Sequence, residues 1–406
     1  MNIDADGFLQ LTYCTNIHPA DGWDAVHANL ARVAPVLKAR LSPGGRFGVG
    51  LRLSAREARE LLTGRRLDEF RAFLDNQGLY VAIINGFPYG PFHGTPVKAD
   101  VYAPDWRDEA RVAYTLDLIE ILSRLLPADL DGGVSTAPLS YKPWVGAGDG
   151  AAWDAIAGNV VHVAEALARV REDRGALIHL DIEPEPDCLL ETTTETVRFF
   201  DRYLPSPALR EHVRVCFDCC HVSVEHEDPL AALDTYRQAG IKIGRVQLSS
   251  ALDVDLPADP AAAAEVAGRL RPFADPVYLH QVVEQQGASR RQFRDLDEAL
   301  KHLADRQEER HLEGRTSVRP ASWRIHFHVP LFMHDYEGLG STQRDVETVV
   351  RAARTQRFTR HLEIETYTWD VLPAGLKTDV TTSIAREYEW VLGVLSQKRK
   401  HEDVKS

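Results

Sequence analysis

The chain alternates between two hydrophobic periods from one end to the other. Short, nearly continuous apolar runs read as buried strands: Phe8–Thr15, Arg46–Leu53, Tyr80–Asn85, Gly133–Ala137, Leu177–Glu183, Arg214–Asp218, Ile243–Leu248 and His361–Tyr367. Amphipathic stretches of helical period lie between them. Asp24–Arg40 carries Val26, Leu30, Val33, Val36 and Leu37 on one stripe, and Ala55–Asn76, Glu109–Leu126, Trp153–Asp173 and Glu191–Leu204 follow the same rule. Eight strands with helices between them predict an α/β chain closed into a (β/α)8 barrel. A doubly wound open sheet is the alternative. No Gly-rich turn follows the first strand, so the dinucleotide-binding fingerprint is missing.

One region breaks the alternation. The stretch between Leu252 and Arg360 is about twice as long as one β-to-α unit requires. It contains two further strand-like runs, Val277–Val283 and Arg324–Phe332, separated by a segment rich in Arg and Glu, Asp305–Thr316. The expected organisation is a single barrel domain over residues 1–396. An insertion covering roughly residues 253–323 follows the seventh strand, at or near the catalytic face, and a charged, frayed tail occupies residues 397–406.

Composition narrows the function. The 406 residues suffice for a large core, and the formal charge of −13 argues against a nucleic-acid backbone or an anionic membrane surface as partner. The apolar runs are strand-sized, so no membrane insertion is expected, and Met1–Asp6 carries neither a basic nor an apolar leader region. These features point to a cytoplasmic location. Five cysteines, three of them clustered at Cys216, Cys219 and Cys220, are too few for a disulfide framework and read as buried, reduced thiols.

The chemistry sits where strands end. Glu183, Asp218, Gln247 and Glu365 all fall at the C-terminal ends of strands, the face on which barrels build their active sites. A charge there is costly unless paired or bound to a cation. Four oxygen-bearing side chains converging from neighbouring strands suit a divalent metal: Mg²⁺ or Mn²⁺ by oxygen alone, Mn²⁺, Co²⁺ or Zn²⁺ if an imidazole joins. His221, three residues after Asp218, faces the same pocket as a ligand or a holder of a substrate hydroxyl. Glu185 competes with Glu183, and Glu363 with Glu365. Glu183 is preferred because Pro184 and Pro186 end its strand, and Glu365 because it lies nearer the strand end. The Gly/Pro-rich loop from Asn85 to Gly94, with Phe87, Tyr89, Phe92 and His93, then Lys98, Tyr102 and Trp106, reads as the aromatic wall of a small-molecule pocket. His326 and His328 alternate onto one face of an insertion strand and can reach a site or form a polar strand face.

Several long motifs carry a resemblance. Thr12–His18, Asn85–Gly90, Ile182–Cys188, Phe217–His221, His326–Pro330 and Glu363–Trp369 together resemble the metabolite traffic protein EboE family over nearly the whole chain. That family is similar to the xylose isomerase-like superfamily of TIM barrels, whose members include sugar isomerases, ketose epimerases, inosose dehydratases and a metal-dependent endonuclease. The resemblance implies a bacterial gene cluster that makes or exports a secondary metabolite, with its other proteins as partners. In the epimerases of that superfamily a Glu, an Asp, a His and a second Glu hold the metal. By position these fall on Glu183, Asp218, Gln247 and Glu365, with Gln247 departing from the usual His.

The leading expectation is a metal-dependent isomerase or epimerase of a small sugar or cyclitol. Glu183 and Glu365 move the proton, His221 orients a hydroxyl, and Asn85, Tyr89, His93, His326 and His328 contact substrate. A cyclitol dehydratase on the same metal, a metal-dependent endonuclease and a non-catalytic metabolite carrier are the alternatives. A homo-oligomer is left open.

Overall fold

The computed structural model describes residues 1–397 apart from 94–96, 147, 314–319, 337, 371 and 373–378. Gly94, the end of the Arg/Glu-rich stretch and the tail from residue 398 on therefore lie outside the described residues.

Seven parallel strands are laid down first: β1 (Gln10–Tyr13), β2 (Phe47–Arg52), β3 (Leu79–Asn85), β4 (Gly132–Thr136), β5 (Ile178–Ile182), β6 (Val213–Asp218) and β7 (Ile243–Leu248). The chain then leaves the barrel for six antiparallel strands. These are β8 (Ser250–Leu256), β9 (Val282–Gln286), β10 (Ser289–Phe293), β11 (Ala321–Val329), β12 (Asp335–Tyr336) and β13 (Leu339–Ser341). It returns as β14 (His361–Ile364), which pairs in parallel with β1 on one side and β7 on the other. The barrel order is β1-β14-β7-β6-β5-β4-β3-β2, and a parallel bridge between Cys14 and Gly50 brings β1 against β2. The expected (β/α)8 barrel is thus present, with all eight expected strands in it.

Local rules place the helices. Ser54 and Glu57 form a reciprocal capping box at one N-terminus, as do Thr192 and Glu195 at another. Asp side chains cap the helices that begin at Glu109, Gly150, Pro229, Pro260 and Val380. The single helix expected over Ala55–Asn76 is two, Ala55–Leu61 and Arg66–Gln77, because Gly64 turns the chain with a φ of +65°.

The second sheet is larger than the pattern suggested. It has the order β10-β9-β11-β8-β13-β12 and begins directly after β7, at Ser250. Of the two expected strands, the first starts only at Val282, while the second is β11. Leu252, Val254 and Leu256 face inward in β8 while Asp255 is exposed, a period-two pattern easily passed over as a polar loop.

The barrel interior is charged. Arg245 on β7 is fully buried and donates to Asp181 at 3.1 Å, to Glu363 at 3.2 Å and to the carbonyl of Gly133 at 2.6 Å. Glycines make room for these carboxylates: a Cβ on Gly50 would lie 1.8 Å from Glu363 Oε1, and one on Gly244 would lie 1.8 Å from Asp181 Oδ1. Among the described residues no helix is long and apolar enough to cross a membrane.

Candidate metal centre and substrate recess

Three carboxylates converge at the C-terminal mouth of the barrel. Glu183 follows β5, Asp218 ends β6 and caps the helix Cys219–Val224, and Glu365 follows β14. One oxygen from each lies within 4.8 Å of the others. All three are at least nine-tenths buried, and neither Glu183 Oε2 nor Asp218 Oδ2 has a hydrogen-bond partner. Burial pushes the Glu183 carboxyl well above its ordinary range, and repulsion from Asp218 and Glu185 adds to this. Burial does the same to Glu365, helped by Glu183 and Asp218. Burial also opposes ionisation of Asp218, but His221, His328 and the Ser249 hydroxyl, 2.7 Å away, outweigh it and hold that group below its usual value.

Three imidazoles face the same point. The His221 ring meets the Pro184 carbonyl through Nδ1 at 2.9 Å, and His328 meets the Glu365 carbonyl at 2.8 Å. His326 meets the Gln281 amide oxygen at 2.7 Å. Each of these oxygens only accepts, so every Nδ1 carries its hydrogen, and in the neutral ring Nε2 presents a lone pair. The Nε2 atoms of His221 and His326 are 3.1 Å apart, and those of His326 and His328 are 3.3 Å apart. Such lone pairs repel unless a cation or proton stands between them. Burial lowers His326 well below the ordinary imidazole value and His328 to about 4, which keeps both rings uncharged near neutrality. Asp218 joins the two groups, with Oδ1 4.0 Å from His221 Nε2 and Oδ2 3.9 Å from His328 Nε2. Orphaned carboxylate oxygens beside neutral Nε2 atoms are the donor set a divalent cation takes.

A recess of about 530 Å³, counted to its open mouth, lies over these groups. Its floor is Glu183, Glu185, His221, His326, His328 and Glu365, and its walls include the aromatic rings of Phe87, Phe92, Tyr102, Tyr278 and Tyr367. Asn85 lines it and donates to Glu365 Oε1 at 3.1 Å. Tyr89 and His93 do not line it. Tyr89 packs edge-on against Tyr114, and His93 bonds the Tyr278 hydroxyl at 3.1 Å, one step behind the wall. These two expected substrate contacts lie off the recess because buried Arg111 and Arg52 hold the loop down. Arg111 donates to the carbonyls of Gly86 and Phe87, and Arg52 to that of Gly90. Gln247 sits beside Asp218 and Glu363 in register, fully buried, but its amide oxygen accepts from the Cys216 thiol at 3.1 Å and its amide nitrogen has no partner. The imidazoles beside Asp218 are His221, from the helix that follows β6, and His328, from the insertion strand β11. All five cysteines are buried and unpaired.

Sequence reasoning missed Asn16, which donates to Glu365 Oε1 at 2.9 Å across the barrel closure. It also ranked Glu185 second. In the structure Glu185 accepts from the Tyr102 hydroxyl at 2.6 Å, is pushed up by burial, and groups with His221 and His326. Nothing in the local pattern marks Asn16, whereas Glu185 was visible as the next in-phase carboxylate.

A family model described as xylose isomerase-like TIM barrel matches residues 48–275. Among solved structures, a xylose isomerase-like TIM barrel protein from Mycobacterium smegmatis in complex with magnesium is similar at 14% identity and a TM-score of 0.50, covering 95% of this chain and 96% of that one. The probable 3-DHS dehydratase AsbF from Bacillus anthracis, involved in petrobactin synthesis, is similar at 11% identity and a TM-score of 0.45, covering 96% and 100%. A D-tagatose 3-epimerase-like protein is similar at 14% identity and a TM-score of 0.40, covering 59% and 75%. No curated protein sequence matches the chain.

Proposed function

The chain belongs to the xylose isomerase-like TIM-barrel family, and on that premise we propose that it is a divalent-metal-dependent isomerase or epimerase of a small sugar or cyclitol. The observation that carries this reading is the meeting of Glu183, Asp218 and Glu365, the first two with an orphaned oxygen each, beside the Nε2 atoms of His221, His326 and His328. Glu183, Asp218 and Glu365 would hold the cation, with His328 completing the set in place of Gln247. Mn²⁺, Mg²⁺, Zn²⁺ and Co²⁺ all fit this mixed set. A bound divalent cation supplies Lewis acidity that polarises a substrate carbonyl and acidifies the neighbouring C–H.

The protein's own groups do the rest. Asn16 and Asn85 pin one oxygen of Glu365, so that the other is aimed. Glu183 and Glu365, both with raised proton affinity, take the proton from one side of the substrate carbon and return it on the other. His221 and His326 orient hydroxyls, and the rings of Phe87, Phe92 and Tyr367 cover the apolar face of the sugar. The motif resemblance to the metabolite traffic protein EboE family supports a place in the making or export of a secondary metabolite. The test is exchange of carbon-bound hydrogen for deuterium, with sugars and cyclitols, in the presence of each metal. Absence of exchange from the whole set would sink the isomerase reading.

A dehydratase is the second reading, favoured by Glu185. That carboxyl lines the recess with one oxygen unpartnered, and burial raises its proton affinity, the direction a general acid at a leaving hydroxyl needs. Product mass separates the two, since a dehydratase product is lighter by one water.

A further inference from the structure

At the opposite end of the barrel, where β4, β5 and β14 begin, Asp131, His179 and His361 come together in a way the proposed reaction does not use. One ligand atom from each lies within 4.8 Å of the others. We propose that these three residues form a separate divalent-cation site, suited to a borderline ion such as Zn²⁺, which staples the closed end of the barrel.

The His179 ring is the first support. Its side chain has no solvent exposure, its Nδ1 is hydrogen-bonded to Asp181 at 2.5 Å, and its Nε2 has no hydrogen-bond partner. Burial opposes ionisation of Asp181, but the His179 ring first and then Arg245 hold it below its usual carboxylate range. A carboxylate behind an imidazole whose far nitrogen is free is the order found behind metal-bound histidines. That free nitrogen looks at Asp131 Oδ2 from 3.8 Å, too far for a hydrogen bond.

The His361 ring is the second. Its Nε2 is 3.3 Å from Asp131 Oδ1, and its Nδ1 is buried without a partner. A charge-assisted N–H···O⁻ bond is normally about 2.7–2.9 Å. Two ligands of one tetrahedral ion at about 2.0–2.1 Å stand about 3.4 Å apart. The observed separations of 3.3 and 3.8 Å bracket that value. The Asp131 side chain is 15% exposed, which leaves a way in from solvent.

Two guanidiniums compete for the carboxylate. Arg214 lies 3.1 Å from Asp131 Oδ2 and Arg360 3.8 Å from Oδ1. Arg214 is itself countered by Glu211 at 3.8 Å, and Arg360, 29% exposed, also donates to the Asp129 carbonyl at 3.3 Å. The ion would then tie β14, which lies between β1 and β7, to the neighbouring pair β4 and β5 across the barrel.

The test is made on the full chain. Crystals soaked in ZnCl₂ and measured at the zinc edge should give an anomalous peak between Asp131, His179 and His361, distinct from any peak at the mouth of the barrel. By equilibrium dialysis, His179→Gln and His361→Gln should each lose one zinc equivalent relative to the native chain. Asp218→Asn/His328→Gln, altered only at the mouth, should keep that equivalent. An empty anomalous map at this position overturns the proposal, even if a variant fails to fold. So does a folded His361→Gln chain that binds as much zinc as the native one. Loss confined to the mouth variant would overturn this site and leave the functional reading above standing; loss confined to the His179→Gln and His361→Gln variants would count against the functional reading and leave this site standing.

Discussion

Glu183 and Asp218 are neighbours in a buried cluster, yet one is driven toward its protonated form and the other toward its charged form. The difference is physical: Asp218 has two imidazoles and a hydroxyl at hand, whereas Glu183 Oε2 has no hydrogen-bond partner and burial with the charges of Asp218 and Glu185 outweighs Arg245. Glu183→Gln should therefore abolish metal binding and yet raise the melting temperature of the metal-stripped chain. An acid whose folded pKa is raised loses stability as pH climbs above its unfolded value, so the advantage of the variant should be larger at pH 9 than at pH 6. Melts in chelator at both pH values check this; a native chain more stable than the variant at both would refute it. Glu387 offers a cleaner titration, away from the cluster. Burial lifts its carboxyl from 4.5 to about 8. Stability contributed by its protonated form should fade as pH rises from about 4.5 through 8, and Glu387→Gln should flatten that limb of the stability–pH curve. At this scale the convergence of Glu183, Asp218 and Glu365 was readable, because strand alternation predicts where each strand end points. Asn16 was not, since its link to Glu365 spans 349 residues and no local period records it. The Gln247 amide bonded to Cys216 was equally invisible.

Among elements, β11 and the loop after β3 shape the site most. β11 delivers His326 and His328 from outside the barrel, so a strand of the insertion completes a centre that barrel strands begin. The alternation of His326 and His328 was plain in the sequence, but their destination was not, because period two fixes a face and leaves its partner unspecified. His328→Ala should weaken metal binding by roughly tenfold to a hundredfold, while far-ultraviolet circular dichroism stays native. Unchanged affinity would remove His328 from the donor set. The loop from Asn85 to Phe92 owes its course to Arg111, a fully buried side chain whose guanidinium satisfies the carbonyls of Gly86, Phe87 and Pro104. Arg111→Met leaves those oxygens unpaired and should destabilise the chain by about 3 kcal/mol or more. Urea unfolding measures the loss, and a shift below about 1 kcal/mol would show that the loop is held otherwise. Sequence periodicity gives no hint of Arg111, because an arginine inside an amphipathic helix ordinarily reads as a solvent-facing residue.

For the molecule as a whole, the barrel was legible from end to end because parallel strands buried on both faces leave unmistakable apolar runs. The six-stranded sheet was only half legible: its edge strand β10, Ser289–Phe293, is polar and exposed, and short antiparallel strands carry weak signals. A cation bound only by the folded chain adds to global stability by mass action, about 2.7 kcal/mol at a hundred times its dissociation constant. The melting temperature should therefore climb with metal concentration in the native chain. The most direct measurement is calorimetric titration of Mn²⁺ into the metal-stripped native chain and into a Glu183→Gln/Asp218→Asn variant of proven fold. The account predicts a saturable binding step in the native chain that weakens by roughly a hundredfold or more, or vanishes, in the variant; a variant that titrates like the native chain would contradict it.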